Sequence, residues 1–68
     1  MLYEHCLGRK CVGPVIVTMW MHSEGKERKC IVEIEGNGLL IRKVFESSNS
    51  KIMYEEVCNA RQFYDSIA

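Results

Sequence analysis

Residues 28–45 read RKCIVEIEGNGLLIRKVF, and this stretch decides the fold. Its first half alternates polar and apolar residues up to Glu35. Its second half starts at Leu39 and is rich in the β-branched and aromatic side chains that favour strands. Between them lies Asn37-Gly38, which suits a two-residue type I′ turn because both central residues of that turn need positive φ. The stretch therefore predicts a tight antiparallel hairpin.

The two-residue loop also predicts which residues of the hairpin face each other. We take Gly36 and Leu39 as the pair that closes the turn. The apolar pairs and the opposite charges that result are each worth about 0.2–1 kcal/mol. The expected pairs are Ile34 with Ile41, Glu33 with Arg42, Ile31 with Val44, Cys30 with Phe45 and, less favourably, Val32 with Lys43.

The residues before the hairpin predict at least one more strand. Residues 15–22 contain β-branched and aromatic side chains and would present largely apolar residues on both faces of a strand, and Ser23-Glu24-Gly25-Lys26 has turn chemistry. Residues 1–11 fit either an irregular arm or a short fourth strand, with Gly8-Arg9-Lys10 turning the chain back. We therefore expect an antiparallel sheet over residues 12–45.

The spacing of apolar residues along the sequence changes after the predicted sheet. Ser47-Ser48-Asn49-Ser50 offers several helix N-caps, and apolar residues then recur at steps of four and three, which is a helical pattern. The chain is predicted to be one α+β domain over residues 1–68: a three-stranded antiparallel sheet, with a possible fourth short N-terminal strand, and one C-terminal helix over 48–67 packed on one face. The helical stripe consists of Met53, Val57, Ala60, Tyr64 and Ile67.

Charge and composition narrow the classes of function. The nine basic and nine acidic residues cancel, which argues against strong non-specific attraction to nucleic acid or anionic membranes. The N-terminus lacks a secretory signal, and the longest apolar run, residues 12–21, is too short and too broken to cross a bilayer. We expect a cytoplasmic protein with reduced thiols and no membrane partner.

One helix can cover only one face of such a sheet. We expect it to cover the face with Cys30, Val32, Ile34, Ile41 and Phe45. The opposite face would then be an apolar patch, covered either by the N-terminal arm or by a partner. A chain this short gains from association, so the partner hypothesis is preferred, with a homodimer or another protein as its forms. The predicted interface residues are Trp20, Ile31, Leu40 and Val44.

No constellation predicts catalysis or a cofactor. Cys6 and Cys11, with His5 adjacent, form one loose pair, whereas structural zinc sites need two close pairs. A Cys6–Cys11 disulfide is a minority alternative in a reducing compartment. Cys30 alternates with apolar residues and is expected to be an inert packed thiol. The chain is therefore predicted not to be an enzyme and to need neither metal nor cofactor.

Two functions of different class remain. The leading one is a small non-enzymatic interaction module, a regulator, adaptor or inhibitor such as phages and mobile elements encode, acting through the exposed sheet face. The alternative is a small nucleic-acid-binding module that uses the basic hairpin. Acidic residues interleave with its cations, which favours an ordinary mixed-charge surface. The residues of this alternative are Lys26, Arg28, Lys29, Arg42 and Lys43.

Overall fold

The computed structural model describes the backbone of residues 2–47 and 50–67 and the side chains of residues 4–47 and 53–67. It is an α+β fold in which four antiparallel strands follow one another as neighbours in a single sheet and a helix packs on one face. The elements are β1 (Leu2–Val12), β2 (Val15–Glu24), β3 (Glu27–Gly36), β4 (Leu39–Glu46) and α1 (Ser50–Ser66).

The hairpin predicted from residues 28–45 is confirmed in register and in turn type. Gly36 pairs with Leu39 at the turn, and all five expected pairs are present. Asn37 and Gly38 have φ of 53° and 72°, the signs that a type I′ turn requires. The β2–β3 turn is shorter than predicted, because the strands extend through Glu24 and Glu27 and leave only two residues between them.

The fourth strand exists and is longer than predicted. β1 runs for 11 residues and pairs with β2 along its whole length. The turn expected at Gly8-Arg9-Lys10 is wrong, because those residues lie inside β1 and the chain turns instead at Gly13-Pro14. The positive φ of 59° at Gly13 suits the first central position of a hairpin turn. The N-terminal segment therefore extends the edge of the sheet and does not fold over its face.

A β-bulge interrupts β1 at Leu7. Cys6 pairs with Trp20 and Gly8 pairs with Met19, so Leu7 is an extra residue without a cross-strand partner. Leu7 packs against the core beneath the helix. The bulge also changes the parity of β1 after this point and places Lys10 on the same face as its partner Val17.

The core lies between α1 and strands β2, β3 and β4. The predicted helical stripe is confirmed: Met53, Ala60 and Tyr64 are buried, and Val57 and Ile67 pack against them. Phe63 was not part of that stripe, yet its ring lies 6.1 Å from the ring of Phe45. The buried sheet residues beneath the helix are Val17, Met19, Cys30, Val32 and Phe45.

The helix does not reach the β3–β4 turn. Ile41 lies on the helix side of the sheet, as predicted, but 45% of its surface stays exposed. The sequence predicts that the helix starts at residue 48. Residues 48 and 49 lie outside the described residues, and the described helix begins at Ser50.

Candidate interaction face

The face of the sheet opposite α1, called the open face here, is built from residues in register across all four strands. Paired residues on antiparallel strands project to the same side, so the three strand registers arrange the open face in five rows. From the β1–β2 turn downward they are the outer row (Cys11, Ile16, Glu35, Leu40), the Arg42 row (Arg9, Thr18, Glu33, Arg42), the apolar row (Cys6, Trp20, Ile31, Val44), the Glu46 row (Glu4, His22, Lys29, Glu46) and an end row with Glu24 and Glu27 beside the β2–β3 turn.

The apolar row contains three of the four predicted interface residues. Ile31 lies between Trp20 and Val44 and is only 4% exposed, although neither the helix nor any other described element covers it. Trp20 is half-buried, and Val44 is 44% exposed. The neighbouring strands therefore bury the centre of this row, and its ends are the parts that a partner could contact.

Leu40, the fourth predicted interface residue, lies two rows away from Val44. Its side chain is 64% exposed. On the other side of the same strand, Leu39 and Ile41 are also exposed. Since β4 is an edge strand, the half of it next to the turn presents apolar side chains on both faces, which sequence reasoning identified on one face only.

The charged rows carry cross-strand ion pairs within the chain. Arg42 Nε lies 3.5 Å from a carboxylate oxygen of Glu33, and Lys29 Nζ lies 3.8 Å from Glu46. In the Glu46 row, His22 Nδ1 lies 3.4 Å from a carboxylate oxygen of Glu4. Exposed pairs of this kind contribute about 0–1 kcal/mol each. These contacts fix the positions of charged groups on either side of the apolar row.

The cations proposed for nucleic-acid binding do not all share one surface: three of them line a groove beside the β2–β3 turn together with Glu27 and Glu46, and the other two lie elsewhere. Lys29 and Arg42 lie on the open face beside carboxylates. Lys43 lies on the helix side, with Nζ 4.7 Å from the centre of the Phe63 ring. Arg28 also lies on the helix side, because it has the parity of Cys30 in β3, and Lys26 lies in the turn.

A groove of about 560 Å³ opens between the β2–β3 turn and the first half of α1. The apolar part of its lining includes Met21 and Met53, and Tyr54, 73% exposed, stands at its side. Lys26 and Arg28 supply positive charge. The sequence did not identify this groove, because it depends on where the helix lies over the sheet.

The thiols are separated in space. Cys6 and Cys11 lie on one strand, and their partners Trp20 and Ile16 are four residues apart in β2, which is roughly 13 Å at the usual rise of a strand. A disulfide joins Cα atoms less than about 7 Å apart, so the Cys6–Cys11 disulfide alternative is wrong for this fold. Cys30 is fully buried, and burial raises the pKa of its thiol, as expected for an inert packed thiol.

Within the described residues, no three His, Cys, Asp or Glu side chains come together as metal ligands. Among the described residues, the helix α1 lacks the length and apolar character needed to span a bilayer. Comparisons with family models, with curated proteins and with solved structures give no significant match.

Proposed function

We propose that this protein is a small non-enzymatic interaction module that binds another protein chain through the open face. The observation that supports this most directly is the position of the apolar row. It crosses the whole sheet on the side opposite α1, and the N-terminal segment lies in the plane of the sheet at its edge. The described elements therefore leave this face free for a partner.

The composition of the open face suits a protein partner. A central apolar strip with a Trp, bordered by fixed charges, resembles the usual plan of an interface, in which an apolar core is surrounded by polar residues. Trp is also the residue type most enriched among those that dominate binding energy. The exposed Val44 continues this strip to the edge of β4, and Leu40 adds a second exposed apolar side chain on the same strand, two rows away.

Nucleic-acid binding is the weaker proposal. The five cations named for it are divided between the two faces and the turn, and two of them already contact carboxylates. Phosphate binding depends on cations that act together along one surface.

Photo-crosslinking tests the proposed function at defined positions. A photoreactive phenylalanine analogue replaces Val44 in one variant, Leu40 in a second and Gln62, exposed on α1, in a control. Irradiation in cells should give covalent adducts to a protein at positions 40 and 44 and not at position 62. The purified partner should then bind the native chain and not the Val44→Glu variant. Absence of adducts at both sheet positions would contradict the proposal.

A further inference from the structure

We propose that the partner of the open face is a second copy of this chain, packed face to face about a twofold axis that runs along the apolar row. This inference rests on the proposed function, because it names the occupant of the same face. The evidence for a second copy is the order of the charges in the two rows that border the apolar row.

The geometry of that axis is simple. It lies between the two sheets, perpendicular to the strands, and maps each strand onto the same strand of the other copy, running in the opposite direction. The apolar row then faces itself. The Arg42 row of one copy faces the Glu46 row of the other, because the two rows lie at equal distances on either side of the axis.

Every lysine, arginine and glutamate in these rows then meets an opposite charge on the same strand of the other copy. On β4, Arg42 faces the partner's Glu46. On β3, Glu33 faces the partner's Lys29. On β1, Arg9 faces the partner's Glu4, and on β2 Thr18 faces the partner's His22. The ion pairs already formed within each chain thereby become the sides of charge networks that span both copies.

The other simple twofold arrangement does not share this property. An axis parallel to the strands would map β1 onto β4 of the second copy and leave each row facing itself. Arg9 would then face the partner's Arg42, and Glu4 would face the partner's Glu46.

The axis along the apolar row also creates one like-charge contact, between Glu35 and the partner's Glu27, but it creates three opposite-charge contacts beside it. The rival axis creates three like-charge contacts, because Glu24 also faces the partner's Glu27, and no contact between opposite charges. Like charges placed opposite each other suppress a docking mode, so the charge pattern favours the axis along the apolar row.

Twist and area agree with this arrangement. Face-to-face sheets cross at about 30°, which displaces the outer strands by roughly 4 Å, within reach of Arg and Glu side chains. Four strands about 4.8 Å apart and the four rows that cross all of them, about 6.6 Å apart, give a face of about 500 Å². Two such faces reach about 1,000 Å², the lower bound for a specific interface. We therefore expect a reversible dimer.

Charge exchange at one contact tests the arrangement. In Arg42→Glu, the new carboxylate faces the partner's Glu46, and in Glu46→Arg, the new guanidinium faces the partner's Arg42. Each change places two repulsive contacts in a homodimer, so each variant should dimerise about tenfold more weakly than the native chain. In an equimolar mixture, both contacts of the mixed dimer become attractive, so the mixed dimer should form with near-native affinity.

The measurements are light scattering across a concentration series and native mass spectrometry, which distinguishes the mixed dimer from the two homodimers by mass. A mixture of Arg42→Glu with Glu35→Arg is the matched control, because it introduces the same charges with the second one in the outer row. This control should give no preference for the mixed dimer. Circular dichroism confirms that each single variant is folded, and restoration by mixing cannot come from a change in folding.

The inference is overturned if the native chain is monomeric at every concentration, or if mixing the two variants forms no more dimer than either variant alone. The proposed function is judged separately by the crosslinking test. Adducts of positions 40 and 44 with a different protein, together with a monomeric native chain, would overturn the second-copy inference and retain the interaction module. Absence of adducts of any mass would overturn both.

Discussion

Lys10 of β1 donates a hydrogen bond from Nζ to the main-chain oxygen of Tyr64, at 2.7 Å, and lies 4.6 Å from the centre of the Tyr64 ring. The same ammonium donates a second hydrogen bond, of 2.6 Å, to the oxygen of Ile67. The last turn of α1 contains no basic residue of its own. A strand residue therefore supplies the positive charge that the carboxyl end of a helix favours.

Replacing this lysine should destabilise the fold. Lys10→Met keeps most of the aliphatic chain but leaves two carbonyl oxygens and the helix end without the ammonium. We expect the free energy of unfolding to fall by about 1.5–3 kcal/mol, the range for hydrogen bonds to charged groups. Urea denaturation followed by circular dichroism measures it. Arg9→Met, a neighbour on the open face, is the control; at a low protein concentration, at which the proposed dimer dissociates, it should change stability by less than about 0.5 kcal/mol. Equal losses for both variants would contradict the role of Lys10.

The packing of Gly36 predicts a second loss of stability. A Cβ atom at this position would lie 2.6 Å from the carbonyl oxygen of Pro14 and 2.8 Å from Cα of Val15, and the φ of Gly36 is +153°. Both neighbours are backbone atoms of the β1–β2 hairpin and cannot move aside easily. Gly36→Ala should therefore cost at least about 1 kcal/mol more than an alanine that meets strain alone.

Gly38→Ala provides that comparison. Gly38 also has positive φ, at +72°, but a Cβ there would meet open space. Its cost should be about 1 kcal/mol, from backbone strain only. Thermal denaturation of the two variants ranks them, and an equal loss would show that the contact with Pro14 and Val15 is not tight.

Ile31 and Val44 are neighbours in the apolar row but should respond differently to truncation. Ile31 is 4% exposed and Val44 is 44% exposed. Ile31→Ala should destabilise the monomer by about 2–4 kcal/mol, whereas Val44→Ala should cost less than about 1 kcal/mol. Chemical denaturation at low protein concentration checks this. If the two losses are equal, the row is not buried at its centre as described.

The four cysteines should separate into two kinetic classes. At a low protein concentration, at which the proposed dimer dissociates, exposed Cys6, Cys11 and Cys58 should react rapidly with a thiol reagent, whereas buried Cys30 should react only as fast as the protein opens. Counting modified thiols by mass spectrometry over time gives the result. Three fast thiols are expected in the native protein and four in urea; rapid reaction of a fourth native thiol would contradict the burial of Cys30.

Cys30 also predicts a dependence of stability on pH. Burial raises the pKa of its thiol above the ordinary value of 9.0. Above pH about 9, the unfolded chain releases this proton while the folded chain retains it, so the free energy of unfolding should fall as pH rises, by at most about 1.4 kcal/mol per pH unit. The Cys30→Ala variant should lack this component. If the free energy of unfolding changes equally with pH in the native chain and in Cys30→Ala between pH 8 and 10, Cys30 does not cause this pH dependence.

Local signals in the sequence predicted the hairpin and the helix correctly. The register of β3 and β4 follows from a two-residue turn, and the helical stripe follows from its own spacing, so neither needs information from distant residues. The open face required more. Its rows depend on the pairing of β1 with β2, and the bulge at Leu7 shifts that pairing by one residue.

Gly8 carried the signal that could have revealed the bulge, because an isolated glycine inside a strand pattern often marks one. Interpreting it as a turn hid both the long β1 and the position of Lys10. Phe63 was missed for a different reason. It lies beside the helical stripe, and only the tertiary position of Phe45 and Lys43 gives it a place in the packing.

The bulge in β1 has a consequence for how far assembly can proceed. It breaks the regular hydrogen-bonding pattern at one margin of the sheet, whereas the pairing of β3 and β4 is regular to the last residue. The β4 margin is therefore the more regular of the two edges for pairing with another strand. If the proposed face-to-face pair forms, both of its β4 margins lie on the same side, and strand pairing there would close at four chains and not grow into a fibre.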